Sequence, residues 1–102
     1  MYKNGWTLLH QAVMWNQIST AELFILNGAD VNAKDKFGRT PLHWAVLRDY
    51  IDIAKLLISK GADMNARDNN NEMPLHYLIA ENCMKMANIF IDALIKEHDI
   101  DV

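Results

Sequence analysis

The chain repeats itself every 33 residues. Histidines stand at positions 10, 43 and 76, inside the stretches GWTLLHQAV (5–13), GRTPLHWAV (38–46) and NEMPLHYLI (71–79). Residues 5–37 and 38–70 align without a gap and agree at 16 of 33 positions, where unrelated segments of ordinary composition would agree at about two. A period of this length marks one supersecondary unit that recurs. A unit that small cannot bury its own apolar face, so neighbouring units must stack.

Local chemistry within the period reads as two helices and a turn-rich connector. Thr40 followed by Pro41 starts a helix: the hydroxyl caps orphan amides, and proline suits the first helical position. Leu42, Ala45 and Val46 then share one face. A break at Arg48–Tyr50 ends this helix. Ile51, Ala54, Leu57 and Ile58 supply a second apolar stripe, and Gly61 suits the left-handed residue that closes it. Residues 62–71 are polar, with Asp63, Asn65, Asp68 and Asn69-Asn70-Asn71, and read as hairpin or loop. The first repeat keeps the order, with Thr7 as cap, Gly28 as stop and residues 30–37 as hairpin.

T-P-L-H-x-A at a 33-residue period, together with GADVNAKD (28–35) and GADMNARD (61–68), resembles the ankyrin-repeat family over essentially the whole chain. The resemblance implies an all-α solenoid of stacked antiparallel helix pairs with projecting β-hairpin loops. It divides a single domain, residues 1–102, into repeats at about 5–37, 38–70 and 71–102. It also implies that the repeated histidine bonds to backbone and ties neighbouring hairpins.

The third repeat departs from the pattern. Asn71 replaces glycine and Met73 replaces threonine, so its first helix is expected to be less well capped. The counterpart of Gly61 is Asp99, 38 positions on, which implies about five inserted residues. The second helix is then expected to be longer by about one turn, from roughly Met84 to Lys96. Lys85, Asn88, Asp92 and Lys96 fall on one face of it; Met84, Met86, Ile89, Phe90, Ile91, Leu94 and Ile95 cover the rest. A terminal repeat needs a polar outer face, and this one is apolar. At the other end Leu8, Met14 and Trp15 lack an evident neighbour. The expectation is either a piece of a longer array, with further ankyrin repeats at either end, or ends that bind something. A short protein with imperfect caps is the alternative.

Composition narrows the function. Hydrophobic residues make up 51% and charged residues 23%, and no run of about 18 apolar residues could span a membrane. Residues 1–6 lack the layout of a signal peptide. A single cysteine, Cys83, excludes an intramolecular disulfide and fits a reducing compartment. The expected location is therefore cytoplasmic, or a host cytoplasm, since the family also occurs in intracellular bacteria and viruses that deliver such proteins. A net charge of −3 with scattered Lys and Arg argues against nucleic acid or anionic membrane as partner.

No feature points to catalysis, a metal, a cofactor or a small-molecule substrate. Successive repeats stack about 10 Å apart, whereas zinc ligands lie about 2 Å from the ion, so His10, His43 and His76 are not a metal site. The His98-Asp99-Ile100-Asp101 end is read as solvated rather than as a ligand cluster. Cys83 has no neighbour in sequence that would lower its pKa and is read as an inert thiol. Asp30 with Asp63, and Asp35 with Asp68, sit at repeat-equivalent places, which marks a fold role. The methionines are read as core filling.

The variable positions carry the candidate site. The x of T-P-L-H-x-A is Gln11, Trp44 and Tyr77, placed by the resemblance on the first helices facing a concave groove. Large aromatics near Arg are favoured at binding hot spots. Trp6, Lys36, Phe37, Arg39, Asn69, Asn70 and Glu72 belong to the hairpin tips; Arg48 and Trp15 occupy a variable helix position. One reading makes this groove a non-catalytic site for a partner protein, with Trp44 and Tyr77 as anchors and Lys36, Arg39, Arg48 and Glu72 at the rim. The other makes Trp44 and Tyr77 stack with Arg39 and merely stiffen the array. The alternative function is a structural spacer in a longer ankyrin array whose activity lies elsewhere.

Overall fold

Thr40 caps the helix Pro41–Leu47 as its sequence demands. Its hydroxyl accepts the His43 amide, and its own amide donates to His43 Nδ1, 3.1 Å away. The same reciprocal box joins Thr7 and His10 at the start of the helix Leu8–Met14. The computed structural model describes residues 6–81 and 84–97. They form α1 (Leu8–Met14), α2 (Ile18–Leu26), α3 (Pro41–Leu47), α4 (Ile51–Ser59), α5 (Pro74–Glu81) and α6 (Met84–Glu97). Cys83 and the His98–Asp101 end lie outside the described residues.

Four of these helices stop the same way. The residue after the cap is left-handed: Asn16, Gly28, Asp49 and Gly61, with φ between 55° and 95°. The next amide then reaches back five residues, as in Gln17 to Ala12, Ala29 to Phe24, Tyr50 to Ala45 and Ala62 to Leu57, each at 2.9 Å. This pattern satisfies carbonyls that the helix end would otherwise orphan. Asn16 and Asp49 do after α1 and α3 what glycine does after α2 and α4, because short polar side chains tolerate this region.

Each pair folds back on itself, and the pairs then stack. α1, α3 and α5 form one row; α2, α4 and α6 form the other. Leu9, Ala12 and Val13 meet Leu42, Ala45 and Val46 between the first helices, while Ala21, Ile53, Ala54 and Leu57 fill the second row. The recurrent alanines let the helices approach closely. Met86 and Phe90 carry the core into α6, where Lys85, Asn88, Asp92 and Lys96 are exposed as their spacing predicts.

The expected β-hairpins differ in detail: among the described residues they contain no strand. Each connector is a pair of turns, and Asp35 donates its amide to the Arg39 carbonyl at 3.0 Å, as Asp68 does to Glu72 at 2.9 Å. One such closure is too short for a ladder. Gly38 sits in the second turn at φ 76°, with Asn69 packed against it so closely that a Cβ would lie 2.5 Å from Asn69 Oδ1. Asn71, the equivalent residue, holds the same left-handed conformation at φ 63°.

Polar bonds also tie the connectors to each other. Asn69 donates its amide to the Phe37 carbonyl and its side chain to Lys36 O. Asn32 spans to Gly61 O and Asp63 N, and Lys34 reaches Arg67 O. The third repeat is less well capped, as expected: Met73 has no hydroxyl, and what remains of the box is its amide donating to His76 Nδ1 at 2.8 Å.

Candidate functional site

His10 and His43 have both ring nitrogens engaged. His10 Nδ1 accepts the Thr7 amide, so Nε2 carries the proton and donates to the Arg39 carbonyl at 3.0 Å. His43 repeats this with the Thr40 amide and the Glu72 carbonyl, at 2.9 Å for the latter. Burial pushes both rings below the ordinary histidine pKa, against the opposing pull of those carbonyl bonds. Each ring thus joins one repeat to the connector of the next.

Two aspartates organise the candidate site. Asp35 Oδ1 accepts the amides of Phe37 and Arg39, at 2.9 and 3.0 Å, and Oδ2 accepts the Trp44 indole N–H at 2.7 Å. Asp68 repeats the arrangement: Oδ1 takes the amides of Asn70 and Glu72, and Oδ2 the Tyr77 hydroxyl. Burial alone would raise the Asp68 pKa. The bonds from Tyr77, Glu72 and Asn70 outweigh that and hold it below the usual carboxylate value. Tyr77 is pushed up to about 12, first by burial and then by its bond to Asp68.

These contacts correct the expectation for Tyr77. Its helix position predicts a side chain facing the groove, but Tyr77 is 8% exposed and its hydroxyl is bound. It lies beneath the face rather than on it. Trp44 is half-buried, with its polar edge satisfied and part of its ring outward. Both rings contact Arg39, whose guanidinium carbon lies 5.0 Å from the Trp44 centroid and 5.8 Å from that of Tyr77. Arg39 Nε also donates to the Tyr77 hydroxyl at 3.1 Å.

Phe37 extends the cluster outward. It is 49% exposed, with Arg39 5.4 Å and Lys36 5.5 Å from its ring. Trp6 stacks on His10 at 5.3 Å and meets Trp44 edge-on at 5.4 Å. The structure therefore gathers Trp6, Lys36, Phe37, Arg39, Trp44 and Tyr77 into one cluster. Gln11 and Arg48 are exposed on α1 and at the end of α3, outside it. Asn70 is exposed at the second tip, and Glu72 enters through its backbone. Sequence reasoning assigned Asp35 and Asp68 a fold role but not their partners. The signal was the nine-residue interval from each aspartate to the x position.

An open concavity lies in the second row of helices, between α4, residues 61–65 and α6, lined by Lys55, Ile58, Met64, Ile89, Asp92 and Lys96. It is a junction of packed elements without a convergent polar centre. Among the described residues no helix is long and apolar enough to cross a membrane.

Comparison with curated proteins gives no match. A family model described as ankyrin repeats, in three copies, matches residues 9–102. Such repeats are generally protein–protein interaction modules and typically non-catalytic. Six helices in two rows among the described residues, histidine links between repeats and a match over nearly the whole length lead to one conclusion: the chain belongs to the ankyrin-repeat family.

Proposed function

We propose that this chain is a non-catalytic module that binds a partner protein through the face made by the connector tips and the first helices. The carrying observation is Phe37. A half-exposed phenylalanine at a turn tip, flanked by two cations, stabilises little in the isolated fold, yet offers apolar area at low entropic cost. Trp6 and Trp44 continue that surface. Lys36, Arg39, Arg48, Asn70, Glu72 and Gln11 surround it as rim groups, with Tyr77 as support from below. Fold alone does not specify function, so the reading rests on these side chains as well as on the family. The single cysteine, Cys83, favours a reducing, cytoplasmic setting.

The test is affinity capture with the full chain beside Phe37→Ser. Loss of a partner by the variant, with the thermal midpoint unchanged, supports the reading. A partner that both chains retain equally would contradict it.

A second reading, a spacer within a longer array, is favoured by a different observation. Leu8 is 47% exposed and Leu23 is 56% exposed, whereas their equivalents Pro41 and Leu56 are covered by the first repeat. Joining a copy of residues 38–70 ahead of Gly5 would cover them. A large rise in midpoint, without any partner found for the Phe37 face, would favour the spacer.

A further inference from the structure

We infer that Arg39 is the charged anchor of this face and that the partner presents a carboxylate side chain to it, from an acidic peptide segment. The inference rests on the proposed protein-binding role of the face and names the chemistry that fills it.

The guanidinium is held in place before any partner arrives. Three rings surround it, those of Phe37, Trp44 and Tyr77, at 5.4, 5.0 and 5.8 Å. Nε is fixed by the Tyr77 hydroxyl, which is itself fixed by Asp68. Among the described residues that bond to Tyr77 is the guanidinium's only hydrogen bond, so both terminal amino groups keep their donors. An arginine side chain loses rotamer entropy when it is fixed. Here much of that loss occurs on folding. A planar fork with free outer donors matches a carboxylate in bidentate geometry.

Local charge agrees. The chain as a whole carries −3. The connector 34–39 nevertheless holds Lys34, Lys36 and Arg39 against one acid, Asp35. That acid is buried, with both oxygens committed to Phe37, Arg39 and Trp44. Asp68 is likewise buried and committed. These two carboxylates support the face from within and moderate its potential, so a single negative charge fits it better than a dianion. The aromatic surface of Phe37 and Trp44 beside the fork suits an apolar residue next to the acid.

The experiment is selection of random 12-residue peptides against the full chain, followed by anisotropy measurements on one selected peptide. Asp or Glu should be enriched at one position. Replacing that acid by its amide should weaken binding at least about tenfold, the scale of one charged hydrogen-bonded pair. Arg39→Gln should weaken it equally, and combining both changes should cost no more than either alone. The peptide-side change leaves the protein intact, so a folding defect in Arg39→Gln cannot mimic the result. Peptides that lose binding with Phe37→Ser but show no acidic preference and tolerate Arg39→Gln would overturn this inference and leave the binding face standing. Peptides indifferent to both variants would overturn the face as well. A phosphoserine at the acid position binding tenfold more tightly would overturn the carboxylate assignment.

Discussion

His10 donates a proton to the carbonyl of Arg39 across 3.0 Å, and this one bond spans two repeats. His43 makes the equivalent bond to Glu72 at 2.9 Å. Each ring also accepts a helix-cap amide, so it closes a helix start and an inter-repeat joint together.

Removing such a ring should therefore cost more than an average core contact. His43→Ala leaves the Thr40 amide without its partner and the Glu72 carbonyl with only the Asp68 amide, next to a void. The expected loss is about 2–4 kcal/mol, from one unsatisfied buried amide, one lost bond between repeats and the void. Urea unfolding would read it as a lower midpoint at unchanged slope. A loss under about 0.5 kcal/mol would mean that water replaces the ring.

Acid should weaken the fold through His10 and His43 before it reaches Asp68. Both histidines lie below their ordinary value of 6.5 in the folded state because burial disfavours the charged ring. The unfolded chain thus binds protons first. Stability is full above about pH 6.5 and falls as pH drops from there toward the folded-state values. Asp68, held below 3.8, acts later: its contribution persists above that value and is lost further down. Urea midpoints at pH 7.5 and pH 5.0 should differ in this direction, and His10→Gln combined with His43→Gln should flatten the slope. Equal midpoints in the native chain would contradict the neutral-ring assignment.

The Tyr77 hydroxyl should titrate late. Its folded value of about 12 exceeds the ordinary 10, so the protonated form is favoured by folding. That contribution is present below pH 10 and is lost between pH 10 and about 12. Ultraviolet titration should show one tyrosine ionising near the top of this window, absent in Tyr77→Phe. The same variant should lose about 1–2 kcal/mol, because Asp68 Oδ2 is left without its donor.

The third repeat should be improvable. Asn71→Gly relieves a left-handed backbone, and Met73→Thr restores the missing cap hydroxyl. Gains of about 0.5–1 kcal/mol each are expected. Gly38→Ala is the opposite case: the Cβ would strike Asn69 side chain and backbone at 2.5 and 2.7 Å, and the connectors must move apart. A thermal midpoint that falls for Asn71→Gly would show that its side chain has a role beyond the turn.

Local signals were legible; distant ones were not. Thr40-Pro41, Gly28 and Gly61 each act within a few residues, so helix starts and stops could be read directly. The long final helix was placed at Met84–Lys96 and spans Met84–Glu97. Tyr77 was misplaced because helical spacing fixes a direction but not what reaches it. Asp68, nine residues upstream across a turn, draws the hydroxyl inward. The left-handed stops at Asn16 and Asp49 were also missed as such, since asparagine and aspartate adopt that conformation without requiring it.

The two histidine links end on the carbonyls of Arg39 and Glu72, residues of opposite charge at the same place in the period. The joint is written in the main chain and ignores the side chain attached to it. Mutation at either position can change what the surface says to another molecule while leaving the register of the stack untouched. Grammar and vocabulary are thus separable within a single residue, which allows a rigid array to acquire new meanings one position at a time.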